Sequence, residues 1–102
     1  MLTKYGFDLD RKDVVKNLDR LTNQLWKLIP MRENHEDWQK QLQTVLVEIV
    51  GLREVFNFDD DQYLVLLTKL EGMKKVELEF IDYRRMVFES ISLMRNLFKH
   101  DS

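Results

Sequence analysis

The chain has 102 residues, which is enough for one hydrophobic core and too few for a second domain. Apolar residues make up 44% of the chain and charged residues 33%, with three Gly and one Pro, a composition that argues against disorder and favours helices over turn-rich sheets. The net charge of -2, with the two signs interspersed, argues against nonspecific binding to nucleic acid or to an anionic membrane, and the lack of cysteine excludes disulfides and thiolate ligands.

The first predicted helix follows a short polar and aromatic arm, Met1 to Phe7, which has no apolar run long enough for a signal peptide. Asp8 or Asp10 offers a carboxylate to cap the helix. Apolar side chains then recur in steps of four and three residues, at Val14, Leu18, Leu21, Leu25 and Leu28. Pro30 is expected to end the helix, because the residue before a proline is disfavoured in the helical conformation.

The second predicted helix begins after a short connection, Pro30 to Glu33, and should therefore return antiparallel to the first. Asn34 is the expected N-cap, and Asp37 is expected to reach back to it as in a capping box. The apolar repeat continues at Trp38, Leu42, Val45, Ile49, Leu52 and Phe56. Gly51 interrupts this helix, and we expect it to allow the close approach of a bulky neighbour.

The third predicted helix is short and runs from Asp60 to Glu71, with Gly72 as the C′ residue. An alternative is a β-hairpin over residues 63–80, because Val76, Leu78 and Phe80 alternate with polar residues. The helix is favoured because leucine dominates the first of the two runs and because a lone two-stranded hairpin is marginally stable.

The fourth predicted helix, Leu78 to Phe98, carries more apolar circumference than one packing contact needs. One seam of its side chains consists of Phe80, Val87, Ile91, Met94 and Phe98, with Ile81 and Phe88 beside it. A second seam, at heptad spacing, consists of Tyr83, Met86, Leu93 and Leu97. This helix is therefore predicted either to lie at the centre of the fold or to offer its second seam to a partner.

Together these segments predict an all-α fold, an antiparallel four-helix bundle with a short third helix, in a single domain over residues 1–102. No residue pattern indicates catalysis, a cofactor or a metal. His35 and His100 stand at predicted helix ends outside any Glu-x-x-His motif, and Asp59 to Asp61 is interpreted as a helix cap. No apolar run is long enough for a membrane span, and the acidic turn before the third helix would repel nucleic acid.

The second seam of the fourth helix carries the functional prediction. Tyr83, Met86, Leu93 and Leu97 are predicted to bind a protein partner or a second copy of the chain. A small noncatalytic protein acting in the cytoplasm through protein–protein interaction is therefore the leading hypothesis.

Two other readings of the sequence lead to different functions. A pocket near Trp26 and Trp38, on either side of the Pro30 turn, would indicate a small-molecule-binding bundle. In length and helix count, the layout also resembles small bacterial helical bundles that bind another protein, such as bacteriocin immunity proteins and antitoxins. That resemblance implies a regulatory role.

Overall fold

The computed structural model describes residues 11–54, 56, 58–75 and 77–99, and these residues form four helices and no strand. The helices are α1 (Arg11–Glu33), α2 (Trp38–Arg53), α3 (Asp60–Gly72) and α4 (Phe80–Lys99). The predicted all-α bundle with a short third helix is confirmed. The alternative hairpin over 63–80 is wrong, because α3 is a single helix that buries Tyr63, Leu66 and Leu70 at helical spacing.

Consecutive helices run antiparallel, and α4 lies between α1 and α3. The most extensive contact joins α1 to α4, and α3–α4 and α1–α2 follow, whereas α2 and α3 touch at few positions. The leucines of the first predicted repeat occupy the core: Leu21, Leu25 and Leu28 are fully buried. An ion pair of 2.5 Å between Arg20 and Glu48 links α1 to α2 at the surface.

Pro30 does not end α1, and the prediction that it would is wrong. A proline in a helix lacks the N–H donor, but its carbonyl can still accept a hydrogen bond. The carbonyl of Pro30 accepts from the backbone amide of Asn34 at 2.9 Å, so the helix continues past the proline. Two further bonds end the helix, from His35 N to Arg32 O at 3.2 Å and from Glu36 N to Met31 O at 2.8 Å. This is a Schellman motif, with His35 at φ 59° in the position that glycine usually takes.

The start of α2 also differs from the prediction. Asn34 belongs to the end of α1, and Asp37 is the N-cap of α2, because its side chain accepts from the backbone amide of Lys40 at 3.2 Å. The helix ends at Arg53, although the apolar repeat of the sequence continues to Phe56. Phe56 is nevertheless buried: from the α2–α3 connection its ring packs 5.7 Å from that of Phe98. The predicted arm Met1 to Phe7, the predicted caps Asp8 and Asp10, and His100 lie outside the described residues.

The close approach of a bulky neighbour that we expected at Gly51 occurs at Gly72 instead. Gly51 is exposed, and a Cβ there would meet no atom within 4 Å, so the predicted close approach is wrong. Gly72 is the last residue of α3 rather than a left-handed C′ residue. A Cβ on Gly72 would lie 3.3 Å from Cε of Met86, so the close approach between helices occurs here.

Replacing Gly51 with alanine is therefore expected to stabilise the protein by up to about 1 kcal/mol, because it lowers the backbone entropy of the unfolded chain without a clash. Urea denaturation of both proteins would measure the change in free energy of unfolding. Gly72→Ala is the control, and it should gain less because its methyl group crowds Met86. An unchanged urea midpoint for Gly51→Ala would contradict this description of the site.

Candidate functional site

The predicted partner-binding seam meets more than one neighbour of α4: Met86 lies against Gly72 of α3, whereas Tyr83 contacts Arg32 of α1 and Trp38 of α2. Tyr83 and Leu97 are buried, and Met86 and Leu93 are half-buried against the core. In the other seam, Val87, Ile91, Met94 and Phe98 are buried, and Phe98 packs against Phe56 of the α2–α3 connection. The wide apolar circumference of α4 is therefore largely used inside the chain, because this helix packs between two neighbours. A partner surface made of these four side chains is not exposed in this structure.

Three large apolar side chains of α4 are exposed among the described residues: Phe80, Ile81 and Phe88. Ile81 is 72% exposed and Phe88 is 40% exposed, and their spacing of two helical turns puts them on one side of the helix. The ring of Phe88 meets the ring of Trp26 edge to face, with centroids 4.7 Å apart. On α1, three turns before Trp26, Val15 is 43% exposed. Val15 lies at the far end of this antiparallel helix pair from Ile81, so we call only Trp26, Ile81 and Phe88 the outer α1–α4 surface.

Basic side chains flank this surface. The guanidinium carbon of Arg84 lies 5.3 Å from the centroid of the Phe88 ring, a cation–π contact. Arg95, seven residues beyond Phe88, is exposed on the same side of α4. Within the described part of the chain, neither Arg84 nor Arg95 pairs with a carboxylate. Arg85, by contrast, pairs with carboxylates of its own helix.

The sequence analysis assigned Ile81 and Phe88 to the margin of a core seam. Both residues stand next to the basic pair Arg84 and Arg85, which must face water. On a helical wheel, Ile81 and Phe88 fall between these two arginines, at the boundary of the apolar arc. Their position beside two charged side chains indicates that they are exposed.

A second cluster surrounds Arg32 near the end of α1. Its guanidinium carbon lies 4.5 Å from the centroid of the Tyr83 ring and 5.3 Å from that of Trp38, and it donates to the backbone carbonyl of Leu78. The Trp38 and Tyr83 rings meet edge to face at 5.1 Å. Burial raises the pKa of the Tyr83 hydroxyl, and the charge of Arg32 opposes this by a smaller amount. The phenol therefore stays protonated at neutral pH.

A cleft of 520 Å³ opens beside this cluster, at the turn between α1 and α2. Its lining consists of Arg32, Glu33, His35, Glu36, Trp38 and Phe80. Trp38 is thus in the cleft wall, whereas Trp26 packs on Phe88. The two tryptophans therefore lie in different surroundings: Trp38 lines this cleft, and Trp26 does not.

Several acidic residues of the described segments have structural roles. Asp59 caps α3 by accepting from the amide of Gln62 at 3.0 Å, and Asp60 pairs with Arg53 at 2.8 Å. A hydrogen bond from Lys69 lowers the pKa of Glu89 and joins α3 to α4. Residues 11–54, 56, 58–75 and 77–99 contain no group of three or more His, Cys, Asp or Glu side chains placed to hold a metal.

No family model, curated protein or solved structure matches this chain. None of the helices in the described segments combines the length and the apolar character needed to cross a bilayer.

Proposed function

We propose that this protein is a noncatalytic cytoplasmic helical bundle that acts by binding another protein along α4, through the outer α1–α4 surface. The observation that supports the proposal is the exposure of Ile81 and Phe88 on one side of α4, next to the indole of Trp26. Apolar side chains grouped in this way favour association, because covering them removes apolar area from water.

The residue types of this surface suit a binding role. Trp and Arg are the side chains that most often dominate binding energy, and aromatic side chains are enriched in interfaces. The edge-to-face contact of Trp26 with Phe88 and the stacking of Arg84 on Phe88 restrain all three side chains before a partner arrives. Such restraint lowers the entropy lost on binding.

The charges around the surface indicate the kind of partner. Arg84 and Arg95 leave positive charge on both sides of Phe88 along the helix, so a segment with apolar side chains flanked by Asp or Glu would be complementary. A second copy of the chain would bring the same arginines toward each other if it docked face to face. We therefore favour a different, acidic and amphipathic protein segment over self-association.

Site-specific photocrosslinking in the native cell tests the proposal. Benzoylphenylalanine replaces Ile81 in one strain and Leu64, which is 54% exposed on α3, in the control strain. We expect a discrete crosslinked product at position 81 and none at position 64, and we expect Arg84→Glu to reduce the product. Equal crosslinking at both positions would contradict the proposed surface. A product with twice the mass of the chain would show self-association and would contradict the acidic partner.

A further inference from the structure

We infer that the cleft at the α1–α2 turn binds an organic cation, an ammonium or guanidinium group carried on an aliphatic chain. This site is separate from the outer α1–α4 surface and does not depend on the function proposed for it. Its volume of 520 Å³ falls within the range of about 300–1,000 Å³ that is typical of small-molecule sites.

The charges in the cleft wall favour a cation. Glu33 and Glu36 are exposed, and in the described segments neither carboxylate forms an ion pair. The one arginine of the wall, Arg32, donates to the Leu78 carbonyl and is stacked on two rings. The cleft wall therefore carries two negative charges against the one positive charge of Arg32, and this excess of negative charge favours a cation over an anion.

The aromatic side chains of the cleft wall also favour a cationic ligand. Trp38 is half-buried and Phe80 is 38% exposed, and both line the cleft. Aromatic faces attract cations through their quadrupole, and the ring of Trp38 already has the guanidinium carbon of Arg32 5.3 Å from its centroid, so the ring of Phe80 is the face that we assign to the ligand cation. The same rings offer apolar area to the methylene groups that carry the charge, as happens with the stem of a lysine or arginine side chain.

The turn that carries the carboxylates is fixed before a ligand binds. Glu36 donates its amide to Met31 O at 2.8 Å, and Asp37, the next residue, caps α2. The backbone of both glutamates is thus restrained by the two helix ends. Restraint of this kind reduces the entropy lost on binding and supports selective recognition by a small surface cleft.

Titration of the ¹⁵N-labelled protein with agmatine, followed by the two indole N–H signals, tests this inference. We expect a saturable shift of the Trp38 signal with a Kd of about 1–10 mM, and little change at Trp26. Glutarate is the anionic control and should cause no saturable shift. A shift of both indoles together, or the same shift with glutarate, would overturn the inference.

Matched charge variants identify the responsible residues. Glu33→Gln with Glu36→Gln should weaken agmatine binding by at least about fivefold, because two exposed carboxylates are lost. Glu54→Gln with Asp61→Asn removes the same charge at the other end of α2 and should change the Kd by less than about twofold. Equal Kd values for the two double variants would overturn the assignment.

Two sources share this ligand chemistry, and a second probe distinguishes them. N-acetyl-arginine N-methylamide presents the guanidinium as a peptide would, without a second charge. Tighter binding of this probe than of agmatine would indicate a basic side chain of a protein, and the reverse order would indicate a free polyamine. The agmatine titration involves no protein partner, and the crosslinking at position 81 involves no added cation, so either proposal can fail while the other stands.

Discussion

Replacing Leu97 with glutamate is expected to unfold the protein. The Leu97 side chain is 2% exposed and belongs to the hydrophobic core, so the substitution would place a carboxylate among apolar groups that offer it no partner. Burying an unpaired charge costs several kcal/mol, which is a large share of the roughly 5–15 kcal/mol that stabilises a domain. Loss of the helical circular dichroism signal at 25 °C, or a large fall in the urea midpoint, would measure the effect.

Two control variants test whether the loss of stability comes from burying a charge at position 97. Leu97→Met keeps the apolar volume and should cost less than about 1.5 kcal/mol. Ile81→Glu introduces the same charge on the same helix at a position that is 72% exposed, and should change stability by about 0.5 kcal/mol or less. A folded Leu97→Glu protein with unchanged stability would show instead that Leu97 is exposed, as a partner-binding seam requires.

Replacing Arg32 with alanine is expected to lower the free energy of unfolding by about 2–4 kcal/mol. The substitution removes a charge-assisted hydrogen bond to the Leu78 carbonyl and two cation–π contacts, with Trp38 and Tyr83. It also leaves the Leu78 carbonyl without this donor. Urea denaturation followed by circular dichroism would give the difference in free energy of unfolding.

The exposed Lys27, also on α1, is the matched control for Arg32. Lys27→Ala removes the same charge from the surface and should change stability by about 0.5 kcal/mol or less. Arg32→Lys should recover part of the loss only, because an ammonium cannot stack on two rings as a planar guanidinium does. If Arg32→Ala and Lys27→Ala have equal effects, the cluster does not stabilise the fold.

Much of the fold could be predicted from the sequence because apolar spacing records which side of each helix is buried. The steps of four and three residues from Val14 to Leu28 match the buried side of α1, and the predicted start of α3 at Asp60 matches the structure. The end of α1 could not be predicted in this way. It depends on backbone hydrogen bonds formed by residues 31–36, and on a histidine in a left-handed conformation that glycine ordinarily provides.

The surfaces were harder to predict than the helices for a different reason. A single sequence shows that α4 is apolar over a wide arc, but it does not show which neighbour covers each part of that arc. Tyr83 and Leu97 are covered, whereas Ile81 is exposed, although all are large apolar side chains of the same helix. The cleft beside Trp38 likewise depends on Phe80, which reaches the α1–α2 turn only when α4 packs against α1.

The extensive contact between α1 and α4 has a consequence for the order of folding. The α1–α2 and α3–α4 pairs are neighbours along the chain, so each can form by closing a short loop. Joining α1 to α4 requires closure over both intervening helices, which costs more chain entropy. We therefore expect two helical hairpins to form early and to dock late. The docking of α1 on α4 is then the rate-limiting step of folding.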